Sequence, residues 1–415
     1  MTAEPGSPLH RRAFAFLPAD PDRHGAAIEA PPDWRRTLIP AAGELDVVVW
    51  GRPPDPNPSS ARGLRSALAR EWALHRISVV GQPGYRVAEI HRLAAGGLTG
   101  GRRGRLRQAL RAGALVELTR LPPGGRVLDA VLTAADARLT GAPLGFGSGG
   151  TLIARVALGR AEHALLRLAE VNAPGDPAPT GETLEKVTSL GVALAPQPLG
   201  RGTTAGASWT LETLRPGRRP SRLSPGLIRE VAAALAAFPR TEGRPWALEA
   251  DLRRIVAHVP SRAERTDPLA EAIAGELAQS PALPAVLRHG DLWAGNLLVA
   301  DGTLSGIIDW DAAHPAGVPG SDLVQLVATE LRGRQRRSLG AAFVARPWDS
   351  TEFRVAAADY WPVIGIEPNP RLIELAGLAW WAAEVNGTVT RLPHRATDER
   401  WLASNVDPVL AALGY

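Results

Sequence analysis

The sequence predicts an α+β protein, strand-rich up to about residue 214 and helical beyond it, and three observations carry that reading. Leu45 to Trp50 (LDVVVW) and Ala114 to Thr119 (ALVELT) are continuous apolar runs of the kind that form buried strands. After Pro216-Gly217, apolar residues recur every three or four positions over Ser224 to Phe238, Trp246 to His258 and Asp267 to Leu283, the spacing of helix faces. Among these helical stretches lies Arg288 to Asp311, RHGDLWAGNLLVADGTLSGIIDWD, which reads as a hairpin because Asp301-Gly302 separates two apolar runs.

Composition sets the limits. The 415 residues suffice for about two or three domains, and a hydrophobic content of 45% is ample for sizeable cores. The absence of Cys excludes disulfides and thiolate metal sites. No long apolar run occurs and Met1 to Arg12 carry charges and prolines, so a soluble, cytoplasmic protein is expected. The formal charge is +5, but the 47 basic residues include one Lys, Lys186, so 47 − 1 = 46 are Arg. Such an exchange of Lys for Arg raises the isoelectric point everywhere without building a basic face, and neither nucleic acid nor membrane is expected as a partner.

In chain order, residues 1–30 read as a loose terminus and residues 31–125 as a small α/β accessory domain. Within the latter, Leu64, Leu68, Trp72 and Ile77 stand at near-helical spacing between the two buried strands. No G-x-G-x-x-G opens this domain, so it is read as a docking or scaffold module, with a protein as its candidate partner. The basic run Gly96 to Arg111 is a solvated loop leading into a basic helix, or a phosphate contact. Pro122 to Gly125 (PPGG) reads as a linker, so a chain starting near Leu128 is expected to fold. From Leu144, LGFGSGGTLIARVAL looks like a strand-turn-strand cover for phosphates. Gly145, Gly147, Gly149 and Gly150, with Ser148 among them, leave backbone N–H groups open to oxygen ligands. Ala164 to Leu168 is a third strand, Gly181 to Leu190 a short helix, and Ser208 to Leu214 a strand closed by Pro216-Gly217.

The hairpin carries the chemistry. Asp291 and Asn296 share a loop, and the Asp-Gly turn brings Asp309 back beside Asn296. A loop carboxylate, a nearby amide and a second carboxylate at a strand end are the parts needed to accept a hydroxyl proton and hold Mg2+ on a triphosphate. His289-Gly290-Asp291 through Asn296, followed by Ile308-Asp309-Trp310, resembles the aminoglycoside phosphotransferase family, small-molecule kinases with a two-lobed protein-kinase-like fold.

That resemblance covers residues 130–415 and implies a first lobe over 130–214 and a helical second lobe over 215–415. It implies an ATP or GTP site with Mg2+, with Asp291 as the catalytic base and Asn296 and Asp309 as metal ligands. It also implies that Arg167 is the phosphate-pairing cation, where many protein kinases have Lys, with Glu182 as its partner and Glu185 as the alternative. The backbone from Glu212 to Leu214 would meet the adenine edge, and Asp322 would brace the catalytic loop. His289 is expected to brace the loop by hydrogen bonds.

Two other classes remain beside the kinase reading: a kinase-like nucleotide-binding regulator, and a metal-dependent hydrolase using Asp291 and Asp309, which would want more ligands than His289 and His314 supply. For the acceptor, the C-terminal segment offers Asp349, Glu352, Asp359, Glu367, Glu374 and Glu384 against Arg346, Arg354 and Arg371. Acids on amphipathic helices are usually solvated faces, so a neutral or weakly charged hydroxyl compound, such as a sugar or other metabolite, is expected ahead of an aminoglycoside. Trp348, Trp361, Trp380, Trp381 and Trp401 are read as core in preference to an aromatic cage.

Overall fold

The computed structural model describes residues 14–16, 27–29, 47–51, 74–77, 86–93, 115–119, 127–140, 145–146, 151–159, 162–173, 175–241, 243–280 and 283–415. The chain divides into two compact units, Met1–Glu182 with Gln197–Leu214 and Thr183–Pro196 with Arg215–Tyr415.

The first unit holds two sheets. Strands β1 (Ala27–Glu29), β2 (Val47–Gly51), β3 (Leu74–Ile77), β4 (Arg86–Leu93) and β5 (Leu115–Thr119) form one in the order β1-β2-β5-β4-β3, with only β1 and β2 parallel. The expected helix ending at Ile77 is corrected over its last four residues. Leu74 to Ile77 pair antiparallel with Leu93 to Ile90, and four apolar positions at helical spacing do not outweigh a neighbouring strand that supplies a ladder. The remainder of that stretch and the basic run Gly96 to Arg111 lie outside the described residues.

Helix α1 (Val127–Ala134) follows, then β6 (Ala137–Leu139), β7 (Gly145–Phe146), β8 (Leu152–Leu158) and β9 (Glu162–Glu170). Helix α2 (Ala178–Ser189), β10 (Pro198–Thr204) and β11 (Ala207–Thr213) complete this part of the chain. The second sheet runs β10-β11-β9-β8-β6, with β7 on β8. Strand alternation sends Leu152, Ala154 and Val156 of β8, Ala164, Leu166 and Leu168 of β9, and Trp209 and Leu211 of β11 into one core against Val127, Leu128 and Val131.

Phe14 and Ala15 belong to that same core, at 4% and 2% exposure. Residues 1–30 are therefore not uniformly a loose terminus: an aromatic ring near the start of the chain is worth burying against α1 and the sheet. Helix α1 itself carried no signal beyond a short apolar run.

The second unit is mostly helical: α3 (Pro225–Ala236), α4 (Ala247–His258), α5 (Ala263–Ala278), α6 (Ser321–Gln335), α7 (Leu339–Val344), α8 (Thr351–Ile364), α9 (Pro370–Arg391), α10 (Glu399–Asn405) and α11 (Asp407–Ala412). Caps set several starts. Ser224, Ser338, Ser350, Asn369 and Asp398 each accept a hydrogen bond from the backbone N–H three residues on. Helix α5 begins four residues before the apolar pattern suggested, and α10 and α11 are parted at Val406. Strands β12 (Arg240–Thr241), β13 (Ala285–Arg288) and β16 (His314–Gly317) form a small antiparallel sheet, and β14 (Leu297–Ala300) and β15 (Thr303–Ile307) form the hairpin. Asp301 (φ 51°) and Gly302 (φ 82°) both have positive φ, as the two-residue turn between right-twisted strands requires.

Trp348, Trp361, Trp380 and Trp381 are buried in the core of this unit and form no exposed cage. Among the described residues no helix is long and apolar enough to cross a membrane.

Phe14→Ala is expected to destabilise the protein by about 3 kcal/mol, the usual cost of emptying a buried aromatic site, and to lower the urea midpoint. An unchanged midpoint would contradict the packing of residue 14. A chain beginning near Leu128 lacks this ring and should melt below the full chain.

Candidate active site

Strand β13 delivers the chain into the loop His289 to Asn296, and each turn of that loop has an identifiable cause. Gly290 sits at φ 82°, and a Cβ there would collide with the carbonyl oxygen of Ala312, so only glycine fits. The backbone N–H groups of His289 and Gly290 donate to the two carboxylate oxygens of Asp322, at 2.6 and 2.9 Å. Asp322 lies in the first turn of α6 and is buried, so it holds the loop with two charge-assisted bonds, that to His289 buried and that to Gly290 partly so.

His289 is fully buried against the Trp310 ring, centroids 4.5 Å apart. Its Nδ1 accepts from the Asp291 N–H at 3.2 Å, which leaves the proton on Nε2 to be donated to the Ile308 carbonyl at 3.0 Å. Burial holds its pKa below the ordinary value, so the ring is a neutral strut tying the loop to the end of β15.

Asn296 is 2% exposed and closes the loop. Its Nδ2 donates to the Asp291 backbone carbonyl at 2.8 Å and to Asp291 Oδ2 at 3.2 Å, which orients the carboxylate. The ladder continues one step past the hairpin, Ile308 N–H donating to the Asn296 carbonyl at 2.9 Å, so Asp309 follows directly on the residue paired with Asn296. Asp309 adopts φ 70° and ψ 59°, a left-handed conformation that costs a non-glycine residue about 1 kcal/mol.

Asn296 and Asp309 fit a hard divalent cation. With Nδ2 committed to Asp291, the amide presents Oδ1, which no described residue hydrogen-bonds. Among the described residues no group of three His, Asp or Glu side chains could hold a metal alone. A Mg2+ held by two side-chain oxygens and completed by water and phosphate oxygens suits such a set.

Behind the loop, Arg288 and Asp251 form a buried ion pair of 2.8 Å, and Asn386 donates to the Asp251 carbonyl at 2.7 Å. His314, opposite Arg288 on β16, is pushed down to about 4 by burial and then by the Arg288 charge.

In the first unit, Arg167 on β9 lies opposite Thr210, on the sheet face away from the Leu166 and Leu168 side chains. It reaches Glu212 of β11 diagonally at 3.4 Å. Glu182, expected to pair with Arg167, instead bonds Arg201 at 2.9 Å in an exposed pair, which is a correction. Helix geometry gives the reason. Gly181 packs against Thr210 with no room for a Cβ, and the next residue turns about 100° away from the sheet, whereas Glu185, four residues on, shares the Gly181 face. Gly145 opens β7, and Leu214 follows the last residue of β11; no described residue makes a backbone hydrogen bond to Leu214. Gly147, Ser148, Gly149 and Gly150 lie outside the described residues.

Sequence reasoning missed Asp251, Arg288, Gln325, Asn386 and Glu384 as supports of the loop. They carry no motif and meet it only through the fold, Gln325 Nε2 donating to the Gly290 carbonyl and to Glu384 Oε1, each at 3.2 Å.

Residues 148–355 match the family model described as the phosphotransferase enzyme family, half of the chain, and the protein belongs to that family. Its members are kinase-like small-molecule phosphotransferases, and the fold is the mixed α/β kinase-like one. Solved structures that this chain is similar to include an aminoglycoside phosphotransferase from Streptomyces rimosus, 18% identical over 62% of this chain and 96% of that one, with a TM-score of 0.41. A putative fructosamine-3-kinase from Haemophilus somnus is 13% identical over 69% and 96%, TM-score 0.47, and a glucosamine kinase is 20% identical over 86% and 97%, TM-score 0.33. No curated protein matches the sequence.

Two outcomes are expected. Asp322→Ala strands two amides in the interior and should cost about 3 kcal/mol in chemical denaturation, with Asp322→Asn costing less because it keeps an acceptor. His314 takes up a proton near pH 6.5 when unfolded but only near 4 when folded, so stability is full above about pH 6.5 and falls as pH drops toward 4. The loss should be on the order of 1 kcal/mol smaller in His314→Gln across that window, after allowance for solvent screening, and parallel curves would contradict it.

Proposed function

We propose that the protein transfers the γ-phosphoryl group of ATP or GTP to a hydroxyl of a small, neutral or weakly charged molecule. One observation carries the assignment: the Asp291 carboxylate is oriented by Asn296 on a loop whose backbone is tied down on both sides, with Asp309 at the far end of the same hairpin.

Asp291 accepts the proton of the acceptor hydroxyl as its oxygen attacks phosphorus. Asn296 and Asp309 hold Mg2+, which when bound neutralises charge on the phosphates. Arg167 and the backbone amides of Gly145 to Gly150 position phosphate oxygens, and the backbone at Leu214 meets the adenine edge. Glu212 acts on nucleotide indirectly, by fixing the Arg167 guanidinium. Phosphoryl transfer demands little beyond placement and charge neutralisation, and a pre-tied loop supplies the first.

The acceptor class follows from how the acids of the C-terminal helices are used. Asp349 pairs with Arg346, Glu352 with Arg334, Asp359 with Arg229, Glu374 with Arg371 and Glu384 with Arg332. Only Glu367 of the six has no Arg partner among the described residues. Such pairs add little stability, but they cancel the negative field that would attract a polycation. Neutral polyols and sugars are therefore favoured over aminoglycosides.

Asp291→Asn should lower acceptor-dependent turnover by at least about 100-fold while nucleotide affinity with Mg2+, read by calorimetry, stays within about twofold. A variant of ordinary activity would remove Asp291 from the base role. In a nucleotide-consumption screen, sugars or other neutral hydroxyl compounds should be turned over. Turnover of kanamycin-like compounds alone would overturn the acceptor class.

A further inference from the structure

We propose that Gln325 is a positioning residue for Asp291, that Glu384 fixes its orientation, and that the two together set the rate of phosphoryl transfer. The inference rests on the reading of Asp291 as the base and assigns roles to two residues that no sequence motif marks.

Gln325 is 3% exposed and sits three residues after Asp322 on α6, so both side chains project from one helix face onto the loop. Their bonds divide the loop between them. Asp322 takes the N–H groups of His289 and Gly290, while Gln325 Oε1 accepts the Leu292 N–H at 2.8 Å and Nε2 donates to the Gly290 carbonyl at 3.2 Å. The Gly290 carbonyl and the Leu292 N–H belong to the peptide groups that flank Asp291. A single amide therefore clamps both, in the manner of a neighbouring β-strand, and removes the rotation that would swing the Asp291 carboxylate.

An amide can bind this way in only one of its two flips. Glu384 selects it: Glu384 Oε1, 3.2 Å from Gln325 Nε2, can only accept, so the NH2 end must face it and the oxygen is left for Leu292. Both Nε2 hydrogens are then used, one on Gly290 and one on Glu384. Arg332, 3.9 Å from the other Glu384 oxygen, attracts that carboxylate and helps hold it in place. With the flip reversed, two like ends would face each other at Leu292 and at Glu384, so losing Glu384 permits a disordered clamp even though it touches neither substrate nor the base.

The test compares Gln325→Met, which keeps size and removes every bond, with Glu384→Leu and Glu384→Gln, the last of which retains a carbonyl acceptor. All are assayed well below their melting temperatures. In Gln325→Met and Glu384→Leu, kcat should fall about 10- to 100-fold with the nucleotide KM within about twofold, the signature of a base misplaced by a fraction of an ångström. Glu384→Gln should recover most of the rate. A Gln325→Met protein with kcat within twofold of the parent overturns the inference. Should the parent itself transfer no phosphate, the base assignment fails separately, and hydrogen exchange decides the clamp: the Leu292 amide should exchange at least about tenfold faster in Gln325→Met, and unchanged exchange overturns it.

Discussion

The carboxylate of Asp322 is the contact on which the rest of the site depends. It binds two consecutive backbone N–H groups, of His289 and Gly290, in a largely buried place. A buried amide without a partner costs more than a made bond gains, so the loop has little freedom to choose another path. Once those two peptides are fixed, Gly290 must take its positive φ. His289 must then point inward to Ile308, and Asn296 can reach back to the Asp291 carboxylate. Helix α6 is rigid enough to act as the anchor because its first two turns are wholly buried.

The second constraint is electrostatic. Arginine is abundant in the second unit and so are acids, and the two are spent on each other, at the surface in pairs such as Arg229 with Asp359 and in the interior as Arg288 with Asp251. The buried pair sits directly before the His289 to Asn296 loop, where the cost of desolvating both charges is offset by the Asn386 and Arg254 hydrogen bonds to Asp251. The acids of the C-terminal helices are thereby largely paired with neighbouring arginines.

Much of this was legible in the sequence. The Asp-Gly turn, the loop spacing from Asp291 to Asn296 and the position of Asp309 depend on local chain geometry, which spacing encodes directly. Helices α3 and α4 announced themselves by period, to within about two residues, and α5 less closely. What could not be read depends on partners remote in sequence. Glu182 and Glu185 both stood at plausible places on α2, and only the close approach of Gly181 to Thr210 determines which flank faces the sheet. Phe14 joins a core formed more than a hundred residues later, with nothing local to mark it. Gln325 and Glu384 are ordinary helix residues until the fold brings Gly290 and Leu292 against them.

The pre-tied Asp291 carboxylate, on the loop leading into the hairpin, is proposed to make this chain a phosphoryl transferase to small hydroxyl compounds. The most direct measurement is phosphorus NMR of the purified protein with Mg2+-nucleotide and a panel of neutral polyols and sugars. The account predicts a new phosphomonoester resonance that grows one for one with the nucleoside diphosphate and only when acceptor is present. Release of inorganic phosphate at the same rate with and without acceptor, and no phosphomonoester, would contradict it.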